Sequence, residues 1–337
     1  MNQPAPPTRY PLAPKPPLAA DVLFLDGISR SGKKLTCCLV SRFAGIEYFN
    51  YMPLIERTCH VQGLGQSDLE TTAYVIQTMV DEATYARIIG RNLNTRVSDE
   101  TSIYKAPDVQ IYFDRATAPD GDAAIAAFLA TGRTAFYHTH SVLPFAETMF
   151  LAFPAGRFIH VTRNPVDIAE DWLRRGWGER WGSDPRAFGV NTPHGDHVVP
   201  WFAAAWAADY IRMSPAERCV HSILDLQARE RQALATLPAA QRRRIFQVCL
   251  ESLLAAPDQT VSALGQFLGR PPPDDLAAFF AAERLPNTGF AAERAEKIKI
   301  LSRNAGADTM SALSAADDAY EELSAMNLSS MKDGTPS

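Results

Sequence analysis

Short apolar runs alternate along most of the chain with longer segments of helical periodicity. The apolar runs have the length of buried β-strands and lie at 22–26, 134–138, 157–162 and 244–250. Helices are predicted at 33–44, 66–90, 121–131, 144–152, 165–175, 199–212, 217–236 and 257–268. Strands that alternate with helices form a parallel sheet covered on both faces. The pattern therefore predicts an α/β fold with a central parallel β-sheet flanked by helices on both faces.

The two ends of the chain depart from this pattern. Residues 1–20 contain seven prolines and no apolar periodicity, which predicts an extended, poorly ordered leader. The main domain is expected to span 21–310, and 311–337 is predicted to be a helical tail with a frayed tip. The segment 176–200 is rich in Gly, Trp, His and Pro and is long for a connection, so it is either a substrate loop or lid or a surface excursion.

Composition narrows the class of protein. The 337 residues are 46% hydrophobic, which is enough for a large core, and the net charge of −5 argues against nucleic acid as the main partner. We see no apolar run long enough for a membrane span and no export signal, so a cytoplasmic protein without a membrane span is expected. The five cysteines lack metal-type spacing and are expected to be reduced thiols.

The stretch DGISRSGKKL at residues 26–35 follows the first apolar run and precedes a predicted helix. Free N–H groups and the positive end of the helix dipole favour an anion at such a junction. Gly27 and Gly32 allow the backbone to turn tightly and to approach a ligand. Positive charge is added by Arg30, Lys33 and Lys34. The stretch therefore predicts a phosphate-binding loop.

The same loop satisfies the nucleotide-kinase pattern only in part. Gly27 and Gly32-Lys33 match G-x-x-x-x-G-K, but the next position, which holds Mg²⁺ through Ser or Thr, is Lys34. An ammonium group cannot ligate a cation. The loop thus keeps its affinity for phosphate without the metal ligand, which favours group transfer that needs no Mg²⁺, while a P-loop kinase is kept as an alternative.

A second strand-to-helix junction reads Arg163-Asn164-Pro165-Val-Asp167. Asn164 is a good N-cap, Pro165 suits the first helical position and Asp167 complements the helix dipole. Arg163 is therefore predicted at the carboxyl end of a strand, where ligands bind in open α/β sheets. Its guanidinium can bind a phosphate with two hydrogen bonds, or it can simply pair with a carboxylate beside the helix.

Together the two junctions resemble those of PAPS-dependent sulfotransferases. The segment 29–35 is similar to the 5′-phosphosulfate loop of that family, and Arg163-Asn164-Pro165 is similar to its 3′-phosphate segment. The resemblance implies a P-loop-like fold, PAPS as the donor co-substrate and no metal. It implies that the donor is bound at Arg30, Ser31, Gly32, Lys33, Lys34, Leu35, Arg163 and the position of Asp171.

The resemblance also implies the catalytic groups. Arg30 would stabilise the leaving phosphate, and His140, which follows an apolar strand as Thr139-His140, would be the general base. A carboxylate base, a structural histidine and a His138-x-His140 metal pair are the alternatives for this motif. The family usually has Ser where this chain has Asp171, whose charge would repel a 3′-phosphate unless it is neutralised or turned away.

The function expected from these features is transfer of a sulfuryl group from PAPS to a hydroxyl or amine, with release of PAP. The acceptor is expected to be a small molecule or a glycan, and the sequence does not identify it. A P-loop kinase and a non-catalytic nucleotide-binding protein are the competing hypotheses.

Overall fold

The computed structural model describes residues 10–332, with side chains to residue 329. Its strands are Val22–Asp26 (β1), Asn50–Tyr51 (β2), Ala135–His138 (β3), Arg157–Thr162 (β4), Asn191–His194 (β5), His197–Pro200 (β6) and Ile245–Cys249 (β7). Five of them form one parallel sheet in the order β2-β3-β1-β4-β7, and β5 and β6 form an antiparallel hairpin.

Helices connect the strands of the parallel sheet. They are Lys33–Val40 (α1), Pro53–Gly63 (α2), Leu69–Ile88 (α3), Val109–Thr117 (α4), Gly121–Ala130 (α5), Ala146–Ala152 (α6), Pro165–Arg174 (α7), Ala207–Arg212 (α8), Pro215–Thr236 (α9), Ala239–Arg242 (α10), Leu250–Ala255 (α11), Pro257–Leu268 (α12), Leu276–Glu283 (α13), Phe290–Ser302 (α14) and Ala307–Lys332 (α15). Short 3₁₀ segments lie at Ile103–Lys105, Leu143–Phe145 and Trp201–Trp206.

The central strand β1 is buried on both faces because its side chains alternate between two cores. Phe24 packs with Tyr137 and Phe158 in a core that includes α2, α3 and α6. Leu23 and Leu25 point to the other face, where the core includes α1, α12 and α13. The period of two along an apolar strand accounts for this division. The predicted α/β fold, with a parallel sheet covered by helices on both faces, is confirmed.

The carboxyl ends of four strands lie at one edge of the sheet. β1, β3, β4 and β7 end at Asp26, His138, Thr162 and Cys249, in parallel register with their neighbours. Helices α1, α7 and α11 begin within a few residues of these ends. The two predicted phosphate segments and the predicted base are therefore side by side, as parallel strand order requires.

The N-terminal segment is extended, and part of it contacts α3. Lys15 forms an ion pair with Asp81, the backbone N–H of Leu18 donates to Asp81 Oδ1 at 2.9 Å, and Gln77 Nε2 donates to the carbonyl oxygen of Lys15 at 2.7 Å. Residues 1–9 of the predicted leader lie outside the described residues. Residues 15–18 have specific partners, so this part of the leader belongs to the surface of the fold.

The C-terminal helix α15 is long and begins before the predicted boundary at residue 310. Leu313 and Tyr320 are buried, and the helix packs on α7, α9, α11, α12 and β7. Tyr320 also donates a hydrogen bond to Glu251. The residues from Ala307 to Lys332 form one helix that packs on the main domain, so the predicted boundary at 310 does not mark a change in the fold. Residues 333–337 of the predicted frayed tip lie outside the described residues.

Among the helices of residues 10–332, none has both the length and the apolar character needed to cross a lipid bilayer.

Candidate active site

The loop between β1 and α1 has backbone geometry that only certain residues allow. Gly27 has φ 147°, and a Cβ there would lie 2.2 Å from the carbonyl oxygen of Val161. Gly32 has φ 93°, and its Cβ would lie 2.5 Å from the side chain of Leu250. Arg30 adopts φ 76° without being glycine, which is unfavourable for an L-residue. The two glycines therefore let the loop pack against β4 and α11, and Arg30 is held in a strained position.

A cavity of about 490 Å³ lies over this loop and contains most of the predicted donor-binding residues. We call it the cationic cleft. Its lining is Ser29, Arg30, Gly32, Lys33, Lys34, Leu35, His138, His140, Arg163, Arg175, Trp177, Leu250 and Leu254. Basic side chains, from Arg30, Lys33, Lys34, Arg163 and Arg175, thus face a space whose described lining contains no carboxylate. Such a space concentrates anions.

Asp171 lies behind the arginines and does not line the cleft. Its carboxylate accepts hydrogen bonds from Arg30 and Arg174, and Arg175 Nε lies 3.3 Å from both of its oxygens. Burial acts to raise the pKa of Asp171, but the bond with Arg30 and the nearby guanidinium groups lower it overall, so the group is ionised. The negative charge of Asp171, which was expected to repel a 3′-phosphate, is therefore neutralised by arginines. Asp171 holds Arg30 and Arg175 at the cleft.

Arg163 joins the two predicted phosphate segments. One of its terminal nitrogens donates a hydrogen bond to the carbonyl oxygen of Arg30 at 3.0 Å. The next residue, Asn164, caps α7 by accepting from the N–H of Val166 at 2.9 Å, and its own N–H donates to Glu251 at 3.2 Å. The N-cap predicted at Asn164 is present, and it fixes the backbone from which Arg163 reaches the cleft.

Lys33 braces the loop from within. Its Nζ donates to the carbonyl oxygens of Gly27 at 2.5 Å and Ile28 at 2.6 Å, and the residue is buried. Burial lowers its pKa to about 8, although the carboxylates of Asp26 and Glu56 oppose the shift. Lys33 thus provides hydrogen-bond donors for two carbonyl oxygens of the loop. The backbone N–H groups of the loop are left to bind an anion.

Two further loop residues have distinct environments. The Nζ of Lys34 lies 2.8 Å from Glu100 Oε1, so its charge is partly balanced at the rim of the cationic cleft. Ser31 is buried, and its hydroxyl oxygen has no hydrogen-bond partner among the residues that the structure describes. A buried hydroxyl without a partner is costly, and Ser31 is one position away from the cleft-lining Arg30 and Gly32.

His140 is held by a carboxylate that we did not predict. Glu56 Oε2 lies 3.1 Å from the imidazole Nδ1 of His140 and accepts the backbone N–H of the same residue at 2.9 Å. Tyr51 donates to the other oxygen of Glu56 at 3.0 Å. Burial, together with the charge of Lys33, lowers the pKa of His140 well below its usual value, so the ring is neutral at pH 7. With the proton on Nδ1, the lone pair of Nε2 is available to accept another.

Glu56 is itself an unusual carboxyl group. Burial raises its pKa to about 7, against the opposing effects of Tyr51, Lys33 and the N–H of His140. The residue lies near the start of α2, directly after the short strand β2, and it belongs to no motif. The strand β2 was not predicted from the sequence, so no sequence signal pointed to Glu56.

A second cavity, of about 240 Å³, adjoins the cationic cleft and has a different character. We call it the aromatic pocket. Its lining is Ser29, Tyr51, Glu56, Arg57, His60, His140, Ser141, Trp172, Trp177, Arg180, Trp181, Arg186, Phe188, Gly189, Trp201, Phe202 and Leu226. Ser29, His140 and Trp177 line both cavities. His140 therefore lies at the junction between a cationic space and an aromatic one.

The segment 176–200 forms one wall of the aromatic pocket. Trp177, Trp181 and Phe188 line it, and the hairpin of β5 and β6 follows. The interpretation of this segment as a substrate loop is thus supported by its position, because it faces the same pocket as His140.

Three buried side chains that lie close together are of the types that bind metal ions. Asp26, His160 and Glu230 each offer a ligand atom, and these atoms lie within 4.8 Å of one another. However, Asp26 already accepts hydrogen bonds from Thr139 Oγ1 at 3.0 Å and from the N–H groups of Val142 and Leu143. Burial acts to lower the pKa of His160, but Glu230 raises it overall. We interpret the group as a charge-paired support for the loop, and the prediction of no metal stays a prediction.

Comparison with protein-family models and with curated proteins gives no match. Among solved structures, the chain is similar to a sulfotransferase domain from the curacin biosynthetic pathway, with 14% identity, coverage of 81% of this chain and 82% of that one, and a TM-score of 0.44. It is also similar to a sulfotransferase domain from the Synechococcus PCC 7002 olefin synthase, with 16% identity, coverage of 74% and 72%, and a TM-score of 0.37. The sulfotransferase STF9 from Mycobacterium avium gives 11% identity, coverage of 85% and 77%, and a TM-score of 0.37. TM-scores below 0.5 do not by themselves establish a shared fold or activity.

Proposed function

We propose that this chain is a PAPS-dependent sulfotransferase that transfers a sulfuryl group to a hydroxyl of a small molecule and releases PAP. One observation carries the proposal: the cationic cleft and the aromatic pocket meet at His140. A transferase needs a donor site and an acceptor site that share the reacting atoms, and a neutral imidazole at their junction is suited to remove the proton of the acceptor.

The donor would lie along the cationic cleft with its two charged ends apart. The 5′-phosphosulfate would rest on the loop, against Arg30 and the uncapped start of α1 at Gly32. The 3′-phosphate would be bound by Arg163, with Arg175 as a second cation. The apolar lining of the cleft, Leu35, Leu250 and Leu254, would contact the adenine. Asp171 would act on the donor only through the arginines it holds.

The proposed reaction is a direct displacement at sulfur. The acceptor oxygen attacks the sulfur and forms the new O–S bond, while the bond from sulfur to the 5′-phosphate oxygen breaks and its electron pair stays on that phosphate. The acceptor proton moves to Nε2 of His140, and Glu56 stabilises the charge that develops on the imidazole. Arg30 stabilises the negative charge gained by the leaving phosphate.

A kinase is less well supported by the same residues. Lys34 occupies the position of the Mg²⁺-binding hydroxyl and pairs with Glu100. Lys33, which would reach a γ-phosphate, donates instead to two loop carbonyls. The hypothesis of a non-catalytic protein draws on the altered loop and on the charge of Asp171. The second argument is weakened because three arginines surround the carboxylate.

The reaction itself tests the proposal. The purified protein, given PAPS labelled with ³⁵S and a panel of hydroxyl acceptors, is expected to form PAP and a labelled product in equal amounts without added metal. Arg30→Ala and His140→Ala are each expected to lower the rate at least about 100-fold. Transfer of phosphate from ATP with Mg²⁺, with PAPS left intact, would contradict the proposal.

A further inference from the structure

The aromatic pocket has flat walls that are themselves packed in place. Trp201 stacks on His60 with ring centroids 4.0 Å apart and an angle of 14° between the rings. Trp181 meets Phe202 edge to face at 5.8 Å. These contacts fix the rings, so the space between them is suited to a planar, apolar body.

Two arginines lie on the aromatic walls, and no acidic side chain among residues 10–329 pairs with them. The guanidinium carbon of Arg180 is 5.0 Å from the ring centroid of Trp177 and 5.7 Å from that of Trp181, and that of Arg57 is 5.8 Å from the ring of Phe188. Within the described residues, neither arginine has a carboxylate within ion-pair distance, and both Nε atoms are buried without a hydrogen-bond partner. One terminal nitrogen of Arg180 donates to the carbonyl oxygen of Arg186 at 2.9 Å, a neutral acceptor that leaves the charge uncompensated. Buried donors of this kind call for an acceptor from elsewhere.

The acidic groups near the pocket do not supply that acceptor. Asp184 is engaged by Arg186, whose Nε lies 3.0 Å from it. Glu56 lines the pocket but accepts from Tyr51 and His140. The arginine charges are therefore left for a ligand, and cation–ring contacts orient the guanidinium groups without neutralising them.

His60 adds a neutral polar group to the same lining. It is 6% exposed, and its ring contacts the backbone of Ser141 without a well-formed hydrogen bond to either ring nitrogen among the described residues. Burial, reinforced by His140, lowers its pKa to about 3, so the ring is uncharged. A neutral imidazole can donate one hydrogen bond and accept another, which suits a ligand oxygen rather than a second cation.

From these contacts we infer that the acceptor is a planar, aromatic hydroxyl compound that carries an anionic group, such as a carboxylate or a sulfate, and that Arg57 and Arg180 bind this group. The inference rests on the proposed function, since it takes the aromatic pocket as the acceptor site. The hydroxyl would lie at His140, where the pocket meets the cationic cleft, and the body would lie between the tryptophan rings. The anion would lie toward the two arginines, which line the pocket but not the cleft.

Calorimetric binding of a matched pair of compounds tests the inference without turnover. The probes are 6-hydroxy-2-naphthoate and 2-naphthol, which share the ring system and the hydroxyl and differ in the carboxylate. Each is titrated into the whole protein with and without PAP. We expect the naphthoate to bind at least about tenfold more tightly than the naphthol, as for an anion paired with a partly desolvated guanidinium.

Variants separate charge from packing. Arg180→Gln and Arg57→Gln are each expected to weaken naphthoate binding about five- to tenfold and to change naphthol binding less than twofold. Arg180→Lys keeps the charge and should retain part of the preference for the naphthoate over the naphthol. If Arg180→Lys instead loses as much naphthoate affinity as Arg180→Gln, the effect is due to packing, and the inference is contradicted. Arg231→Gln, at an exposed arginine on α9, is the matched control and should change neither affinity.

The possible outcomes distinguish the inference from the function on which it rests. Equal affinity for the two compounds, tighter binding of the naphthol, or no binding of either compound to the PAP complex would overturn the inference. A protein that binds PAP but shows no preference for the anion would overturn the inference alone. A protein that binds the naphthoate selectively but not PAP would overturn the proposed donor.

Discussion

The carboxylate of Glu56 is bonded twice to His140, through the backbone N–H at 2.9 Å and the ring Nδ1 at 3.1 Å. The two residues come from different parts of the sheet edge, one after β2 and the other after β3. A carboxylate that fixes both the backbone and the ring of a neutral histidine leaves the other ring nitrogen pointing away from it. This relationship gives the ring of His140 a defined orientation, which the proposed role as base requires.

The first prediction concerns the pH dependence of the reaction. The folded-state pKa of Glu56 is about 7, above its usual 4.5, so the carboxylate that holds His140 is lost as the pH falls through 7. The value of kcat/KM for PAPS and a fixed acceptor should therefore rise with pH to a plateau above about pH 8. Glu56→Gln should lower the plateau about 10- to 100-fold and remove this acid limb.

The matched control is Glu147→Gln, at an exposed position on α6, which should leave both plateau and limb unchanged. An acid limb that persists near pH 7 in Glu56→Gln would show that another group titrates there.

The second prediction concerns Arg163. Arg163→Ala should weaken PAP binding about 10- to 100-fold, because a guanidinium bound to a phosphate dianion contributes about that much. Binding of adenosine 5′-phosphosulfate, which lacks the 3′-phosphate, should change less than about threefold in the same calorimetric series. Arg163→Lys keeps the charge and should lose less. An equal loss for both ligands would assign Arg163 only the structural role of holding the carbonyl of Arg30.

The third prediction concerns Asp171. Asp171→Asn should lower the free energy of unfolding by about 1–2 kcal/mol, a modest loss because the arginines it pairs with are partly exposed. Saturating PAP should recover at least half of this deficit, since the ligand provides the anion that the arginines have lost. Asp209→Asn, which breaks an exposed pair with Arg212, should change stability by less than about 0.5 kcal/mol. A deficit that PAP leaves unchanged would separate Asp171 from the donor site.

The fourth prediction concerns Lys33. Its pKa is about 8 in the folded protein against 10.5 when unfolded, so burial of the charge opposes folding below pH 8 and this effect is relieved as the pH rises to 10.5. Lys33→Met removes the titrating group. The stability of the wild type relative to Lys33→Met should therefore increase by up to about 3 kcal/mol from pH 8 to 10.5. Denaturant unfolding at several pH values measures this, and parallel curves would mean that Lys33 is not desolvated.

Local patterns predicted the sheet and the loop because their signals lie within a few residues. The run 22–26, the glycines after it and the capped helix start at Asn164 each specify an element or a turn by themselves. Parallel strand order then brings Arg30, Arg163 and His140 to one edge. Arg30 and Arg163 line the cationic cleft, and His140 lies where the cleft adjoins the aromatic pocket. That these three residues lie close together could be predicted from the sequence.

Other parts of the site depend on contacts between distant segments. Glu56 is 84 residues from His140 in the chain, and Arg175 acquires its position from Asp171 rather than from a motif. Helix α15 was predicted only as a tail because a single sequence does not reveal which elements its apolar positions pack against. Leu313 and Tyr320 are buried, and the helix packs on α7 and α9. The role of Asp171 was obscured for the same reason, since its three arginine partners become neighbours only in the fold.

The proposed reaction requires the cationic cleft to bind a 3′,5′-bisphosphate nucleotide. A thermal-shift titration of the purified protein with PAP, beside 5′-AMP and ATP with Mg²⁺, tests it most directly, because a ligand that binds only the folded state raises the melting temperature. We predict a saturable increase with PAP that is much larger than with 5′-AMP and does not need Mg²⁺. Stabilisation by ATP with Mg²⁺ and none by PAP would contradict the claim and assign the loop to a kinase.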